Sequence, residues 1–420
     1  MHQLATVIAR RRRSAHTTIL AQRRGPSPLV LVPLAVGFAL AVVVDRALGE
    51  PSSAPVVAAS TELSEASPSV HVEIGEPQLL PHAAPAPPAP APAPPSLYGS
   101  DAALARELER VLAQGKTPYA ATVLLEVGSG RVLAVAEHST RGPSTGLAHK
   151  PLAPAASVFK IVTSSALLRA GVPAGERVCA RGGMRRLNQR VLVDDPGKDR
   201  ECTTLFDALP RSQNTAIAKL ALKYLEPDLL RAEAQRFGFD APLPLDVRVA
   251  EAPSAARIPE DPFGFAEAAA GFGDVKLSAM HGAVLAAVVA TGGVLVPPRY
   301  GDAEGIAGAT RVVDEGHAET LRRMMADTVT SGTARRAFAS GPKLRMSAAG
   351  KTGSLTDYAT GLDTSWFVGF APAERPQVAV ASVVVNQGKW HVKAPYVAKE
   401  ALRSYFAARA REQQAVVARR

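Results

Sequence analysis

The stretch Pro77–Pro95 constrains this chain more than any other. Nine of its nineteen residues are proline, mostly alternating with alanine. Each proline fixes φ and removes an amide donor, so the stretch is extended polyproline, neither helix nor sheet. At about 3.1 Å per residue it spans roughly 60 Å. Proline-rich stretches also serve as ligands for small recognition domains, but regular Pro-Ala alternation is a spacer composition. Residues 45–99 therefore read as a semi-rigid extracytoplasmic linker, and ordered structure is expected to resume at Ser100.

The residues before the linker explain what it separates. Gly25 to Val44 is twenty residues without a charge, and Leu29 to Val44 is densely apolar. Twenty helical residues span about 30 Å, the hydrocarbon thickness of a bilayer. Residues 25–44 are thus expected to be a transmembrane signal anchor, with Pro33 as a tolerated kink. Six arginines and no acid lie in residues 1–28. By the positive-inside rule residues 1–24 form a cytoplasmic arm, the protein crosses the cytoplasmic membrane once, and the rest lies in the periplasm or its equivalent. A cleavable signal peptide ending near Ala47-Leu48-Gly49 is the rival reading. Either way the body is exported.

Charge excludes one function class. The net charge is +10 and the pI near 9.8, values that raise nucleic-acid binding. Residues 1–28 carry +6 and residues 401–420 carry +4, so residues 29–400 are neutral overall. No nucleic-acid partner is expected, and residues 414–420 read as a basic, solvated tail.

Within residues 100–413, apolar spacing at Leu104, Leu108, Val111 and Leu112 predicts a helix, with Ser100 as its cap and Gly115 as its stop. Ala120–Val127 and Val132–Ala136 flank Gly128-Ser129-Gly130, a hairpin signal. A helical middle follows over about 157–295. Ser365–Phe370 and Gln377–Val385 read as strands, and Pro395–Gln413 as a closing amphipathic helix. Strands at both ends with helices between predict an α/β (α+β) domain. Its antiparallel sheet is built from both termini and flanked by helices, beside an all-helical subdomain.

Three short motifs carry the chemistry. In Ser157-Val158-Phe159-Lys160, prolines precede and apolar residues follow, so the motif opens a buried helix on which the Ser and Lys side chains meet. A serine hydroxyl needs a base to become a nucleophile, and a lysine held among apolar side chains loses its proton readily enough to be one. The same spacing in Ser340-Gly341-Pro342-Lys343 cannot be helical and is set aside. Ser212-Gln213-Asn214 precedes a helix, where capping is the ordinary role. The functional reading makes Ser212 a proton relay and Asn214 a holder of substrate carbonyl and lysine. Lys351-Thr352-Gly353-Ser354 reads as a turn or as an edge strand lining a cleft. In the second case Gly353 leaves room for a substrate backbone, and Lys351, Thr352 and Ser354 bind a carboxylate.

Taken in order, Ser-x-x-Lys, Ser-x-Asn and Lys-Thr-Gly resemble the penicillin-binding protein family in its transpeptidase domain, whose relatives include serine β-lactamases. Further stretches resemble that family in order: Gly271-Phe272-Gly273 with Leu277 to Met280, Ala290-Thr291-Gly292-Gly293, Ser331-Gly332-Thr333-Ala334 and Trp366 to Pro372. The resemblance implies that Ser157 attacks a D-Ala-D-Ala stem peptide of peptidoglycan and forms an acyl-enzyme that passes to an amine or to water. Lys160 would be the base, Ser212 the relay, and the amides of Ser157 and Ser354 the oxyanion hole. β-Lactams would acylate Ser157, and neither metal nor cofactor is needed. D,D-carboxypeptidase, β-lactamase and a non-turnover β-lactam sensor share these motifs. Against the β-lactamase reading, Glu226-Pro227-Asp228-Leu229 lies too close to Ser212 to supply a deacylating glutamate, so Glu226 is read as a surface residue. A separate glycan polymerase is an open partner, since residues 45–99 are too proline-rich to be one. Cys179 and Cys202 are read as a disulfide of the exported chain, or else as two unpaired buried thiols. His281 is read as a packed core residue.

Overall fold

The structure, a computed structural model, describes residues 99–246, 254–301 and 308–418. The expected arm, anchor and nearly all of the linker lie outside the described residues. Among the described residues no helix is long and apolar enough to cross a membrane.

The expected hairpin joins Tyr119–Glu126 (β1) to Val132–Ser139 (β2). Gly128 and Gly130 occupy the turn at φ +90° and +72°, values that glycine adopts without strain. Three late strands complete the sheet: Ala349–Asp357 (β3), Leu362–Ala371 (β4) and Val378–Gln387 (β5). The order is β3-β4-β5-β1-β2, antiparallel throughout, so the sheet is indeed built from both ends of the domain. The closure is central. β1 pairs with β5, and buried Thr122 and Ser382 face each other across that junction with hydroxyls 2.9 Å apart. β3, which carries the third motif, is left at an edge.

Both faces of this sheet are covered, which is why its inner strands β1 and β5 read as continuous apolar runs and not as alternation. On one face Ala120, Leu124, Phe367, Val380 and Val384 pack against helix α1 (Ala102–Gln114) and the C-terminal helix Ala394–Ala418. On the other, Ala121, Val123, Leu125, Trp366 and Val368 meet helix Ala279–Ala290, whose residues are buried from Ala279 to Val289. The cap of α1 is one residue later than expected. Asp101, not Ser100, accepts the Leu104 amide at 2.8 Å, and the Ser100 and Asp101 amides donate to the Val132 and Leu133 carbonyls of β2.

Beyond the second face lies the helical part. Helix α2 (Lys160–Arg169) is buried from Lys160 to Leu168, a core helix with apolar neighbours all round. Helix α3 (Asn214–Tyr224) and helix Pro227–Arg236 pack around it. Short strand pairs interrupt the helices, among them Arg177–Ala180 with Glu201–Thr204. There Cys179 and Cys202 face each other and are joined as a disulfide. His281 is buried, with Nε2 2.7 Å from the Phe237 carbonyl, and burial lowers its pKa to about 4.

Sheet and helical part are fastened at Trp366. This fully buried side chain donates Nε1–H to the Pro154 carbonyl at 2.8 Å, two residues before the turn that carries Ser157. Trp366→Phe keeps most of the apolar volume but orphans that carbonyl. A loss of about 1–3 kcal/mol in a urea titration is expected, and an unchanged midpoint would count against this fastening.

Candidate active site

Ser157 sits in a tight 3-10 turn, Ala156–Phe159, that runs straight into α2. The turn is held on two sides. The Ala155 amide donates to the Val275 carbonyl at 2.8 Å, and Thr163 Oγ1 donates to the Ala269 carbonyl at 2.7 Å. Ala156 has φ +48°, and Ser212 has φ +54°. Left-handed conformations cost non-glycine residues energy and persist where the surroundings over-determine them. Among the described residues only two others, Lys116 and Asp240, share this property.

Lys160 lies one turn below Ser157, as the i,i+3 spacing expects. Its Nζ donates to Asn214 Oδ1 at 2.6 Å and lies 2.6 Å from Ser157 Oγ. Across the site, Lys351 Nζ donates to Ser212 Oγ at 3.0 Å and to the Thr352 carbonyl at 2.8 Å. Both amines are fully buried. Burial pushes the Lys160 pKa far below that of a free lysine, and the nearby Lys351 charge pushes it further. Burial alone takes Lys351 down to about 7. Ser157 keeps 9% exposure, whereas the two lysines are sealed.

The structure sets aside the capping reading of the second motif and keeps Asn214 as a holder of Lys160. Neither Ser212 nor Asn214 caps α3 through its side chain. The Ser212 hydroxyl instead accepts from Lys351, which ties the second motif to the third. Both N–H groups of the Asn214 amide are also taken, by the Met184 carbonyl at 2.7 Å and the Arg185 carbonyl at 2.9 Å. A side-chain amide has two such hydrogens. Asn214 therefore holds Lys160 and has no donor left over for a substrate carbonyl.

The third motif is the edge strand expected. In β3, Lys351 and Gly353 point inward, while Thr352 is half-buried and Ser354 exposed. Gly353 also serves packing. A Cβ there would lie 3.2 Å from the Ala155 carbonyl and 3.3 Å from Val158 Cγ2. The glycine lets the strand press against the Ser157 turn. Sequence reading gave Ser331-Gly332-Thr333-Ala334 no role, yet Thr333 ties the third motif to the chain just before the second. Its amide donates to the Pro210 carbonyl at 3.2 Å, and its Oγ1 lies 2.5 Å from Thr352 Oγ1. Glu226 is exposed at the start of helix Pro227–Arg236, and Ser340 follows a short helix, remote in role from both lysines. Among the described residues no group of His, Cys, Asp and Glu could hold a metal ion.

A nucleophile, a depressed amine beside it, a second amine across a slot and an open strand edge can together perform acyl transfer. Comparison with known proteins places the chain. The sequence profile of the penicillin binding protein transpeptidase domain matches residues 120–403. The peptidoglycan D,D-transpeptidase PbpA of Mycobacterium tuberculosis is 27% identical over 305 residues, 63% of this chain and 62% of the relative. PbpA of Mycolicibacterium smegmatis is 28% identical over 256 residues, 56% of this chain and 50% of the relative. The chain thus aligns with less than two thirds of the length of these curated relatives. Among solved structures, penicillin-binding protein A from M. tuberculosis in its imipenem acyl-enzyme complex is similar with a TM-score of 0.58 at 24% identity, covering 72% of this chain and 78% of that one. A peptidoglycan glycosyltransferase from Burkholderia ambifaria gives a TM-score of 0.62 at 19% identity, covering 73% and 96%. At such identities these likenesses speak for the fold, an antiparallel sheet with helices on both faces. With its profile match spanning most of the chain and its three motifs gathered at one site, the chain belongs to the penicillin-binding protein transpeptidase domain family.

Proposed function

We propose that this chain is a membrane-anchored serine D,D-transpeptidase that cross-links peptidoglycan stem peptides through an acyl-enzyme on Ser157. The observation that carries the reading is the Ser157–Lys160 pair, 2.6 Å apart with the amine sealed from water. The neutral Lys160 amine takes the hydroxyl proton as Ser157 Oγ bonds to the carbonyl carbon between the two terminal D-Ala residues. The oxyanion is received by the backbone amides of Ser157 and Ser354. As the C–N bond breaks, the proton taken up by Lys160 passes by way of the Ser212 hydroxyl to the departing D-Ala amine, which returns Lys160 to its neutral form. Thr352, Ser354 and protonated Lys351 hold the terminal carboxylate. The ester is then attacked by an acceptor amine of a second stem peptide, and β-lactams enter the same path as substrate mimics.

The arrangement of the whole chain completes the proposal. Residues 1–24 form the cytoplasmic arm, 25–44 the anchor, 45–99 the stalk, 100–413 the catalytic domain and 414–420 a basic tail. The catalytic domain works outside the cytoplasmic membrane, beside a separate glycan polymerase. The test gives the detergent-solubilised full chain a D-Ala-D-Ala stem peptide with and without an acceptor amine and weighs the products. Cross-linked product supports transpeptidation. Release of D-Ala alone makes the enzyme a carboxypeptidase. Fluorescent penicillin is expected to label the parent and not Ser157→Ala; equal labelling of both would remove Ser157 from the mechanism.

A further inference from the structure

The segment between the two cysteines has no role in the reaction described above, yet it grips one of the site's residues. We propose that residues 181–200, closed by the Cys179–Cys202 disulfide and folded around the Asp199 carboxylate, form a positioning element that orients the Lys160 amine through Asn214. The proposal rests on the acyl-transfer reading of the site.

The contact with Asn214 is made by backbone. The Gly183 carbonyl accepts the Asn214 main-chain amide at 2.8 Å, and the Met184 and Arg185 carbonyls accept both side-chain hydrogens. A carbonyl can only accept, so these two fix which end of the carboxamide faces them. Oδ1 must then face Lys160. A neutral amine has two hydrogens and one lone pair. With an N–H held on Asn214 Oδ1, the lone pair is free to face the Ser157 hydroxyl, where the proton must go. A carboxamide free to rotate could instead present its N–H groups to the amine and draw the lone pair away from serine.

The segment is in turn fastened to the helix that carries Asn214. Asp199 is buried and accepts from Arg181 at 2.6 Å, from the Asp195 amide at 3.0 Å and from Lys219 at 2.6 Å. Lys219 is itself buried and lies on α3, five residues after Asn214. Arg181 also donates to the Arg190 and Val193 carbonyls. One carboxylate thus draws the start, middle and end of the segment onto α3. The disulfide closes its base, where Cys179 and Cys202 are paired across neighbouring strands and exposed to solvent. A soluble reductant therefore has access to the clasp.

The experiment uses the solubilised full chain as parent, as Asp199→Asn, and as parent reduced with a phosphine. Hydrogen exchange read by mass spectrometry is the first measurement. Faster exchange is expected in residues 181–200 and, with them, in the Ser157 turn and the start of α3, while β4 and β5 exchange as in the parent. The second is acylation by a chromogenic cephalosporin. Its acylation rate constant at saturation is expected to fall by about tenfold or more with the pre-acylation affinity little changed, and reoxidation is expected to restore it. Loosening confined to residues 181–200, with the Ser157 turn as protected as before, would overturn the inference. So would an unchanged rate constant in both altered forms. If the parent itself is not acylated, the reading of the reaction fails, and the exchange pattern alone still decides whether the segment positions the turn. Should Asp199→Asn lose the protection of β4 and β5, the reduced parent carries the decision.

Discussion

Lys160→Met is expected to lower the rate of Ser157 acylation by about 10²–10⁴-fold, the range that general base catalysis supplies. Methionine follows the path of the lysine stem and needs no charge in a fully buried position, so the fold is expected to survive and the loss to be chemical. The parent should show why the amine serves. Lys160 must be neutral to accept a proton, so the rate rises with pH through a pKa held well below that of a free lysine. Lys351 must be protonated to hold a carboxylate, and burial brings its pKa to about 7. The rate then falls as pH rises past that value. The outcome is a bell-shaped profile, because one amine must be neutral and the other protonated. Lys351→Arg keeps a charge that does not titrate in this range and should flatten the falling limb while leaving the rising one. Acylation rates measured from pH 5 to 10 on a carboxylate-bearing β-lactam check both limbs. A Lys160→Met variant that acylates at the parent rate would remove the base from the mechanism.

The parts of this site that could be read from sequence are those where one side chain meets another at a helical or strand period. Ser157 and Lys160 are three residues apart on one helical path, and Lys351 and Gly353 share the inner face of a strand. Periodicity places such pairs before any tertiary contact is known. The sheet was legible for a related reason. β1, β2, β4 and β5 each contain an apolar run, β3 is announced only by its Lys-Thr-Gly motif, and their position at both ends of the domain leaves few ways to pair them. What could not be read depends on backbone atoms. The carbonyls of Met184 and Arg185 that saturate Asn214, and the Pro210 carbonyl that receives Thr333, have no residue type to announce them. Asp199 and Lys219 are twenty residues apart and meet only because the disulfide-closed segment folds back. In the sequence they look like ordinary surface charges, yet both are buried. The contact between Ser212 and Lys351 could not be read for a similar reason. Its left-handed backbone turns the hydroxyl toward Lys351, and no spacing encodes that turn.

Gly271 offers the sharpest test of how the Ser157 turn is held, because its neighbour Gly273 provides the control. Both glycines have left-handed backbones, at φ +87° and +66°. Alanine at either position therefore carries a conformational cost of about 1–2 kcal/mol. The surroundings differ. A Cβ on Gly273 would meet nothing within 4 Å, whereas one on Gly271 would stand 1.9 Å from the carbonyl oxygen of Ala156 and 3.3 Å from the amide nitrogen of Ser157. No rotamer relieves that overlap, since both atoms belong to backbone. The 3-10 turn itself must move, and Ser157 moves with it. Displacement of a reacting atom by about 1 Å costs on the order of 10²-fold in rate. Gly271→Ala is thus expected to acylate about a hundredfold more slowly than the parent. Gly273→Ala is expected to lose about 1–2 kcal/mol of stability and to acylate within about twofold of the parent. Stopped-flow acylation alongside a denaturant titration separates the two effects. If both alanines slowed acylation equally, backbone strain in the Gly-Phe-Gly stretch would be the cause, and the close approach to Ala156 would have no part in placing the nucleophile.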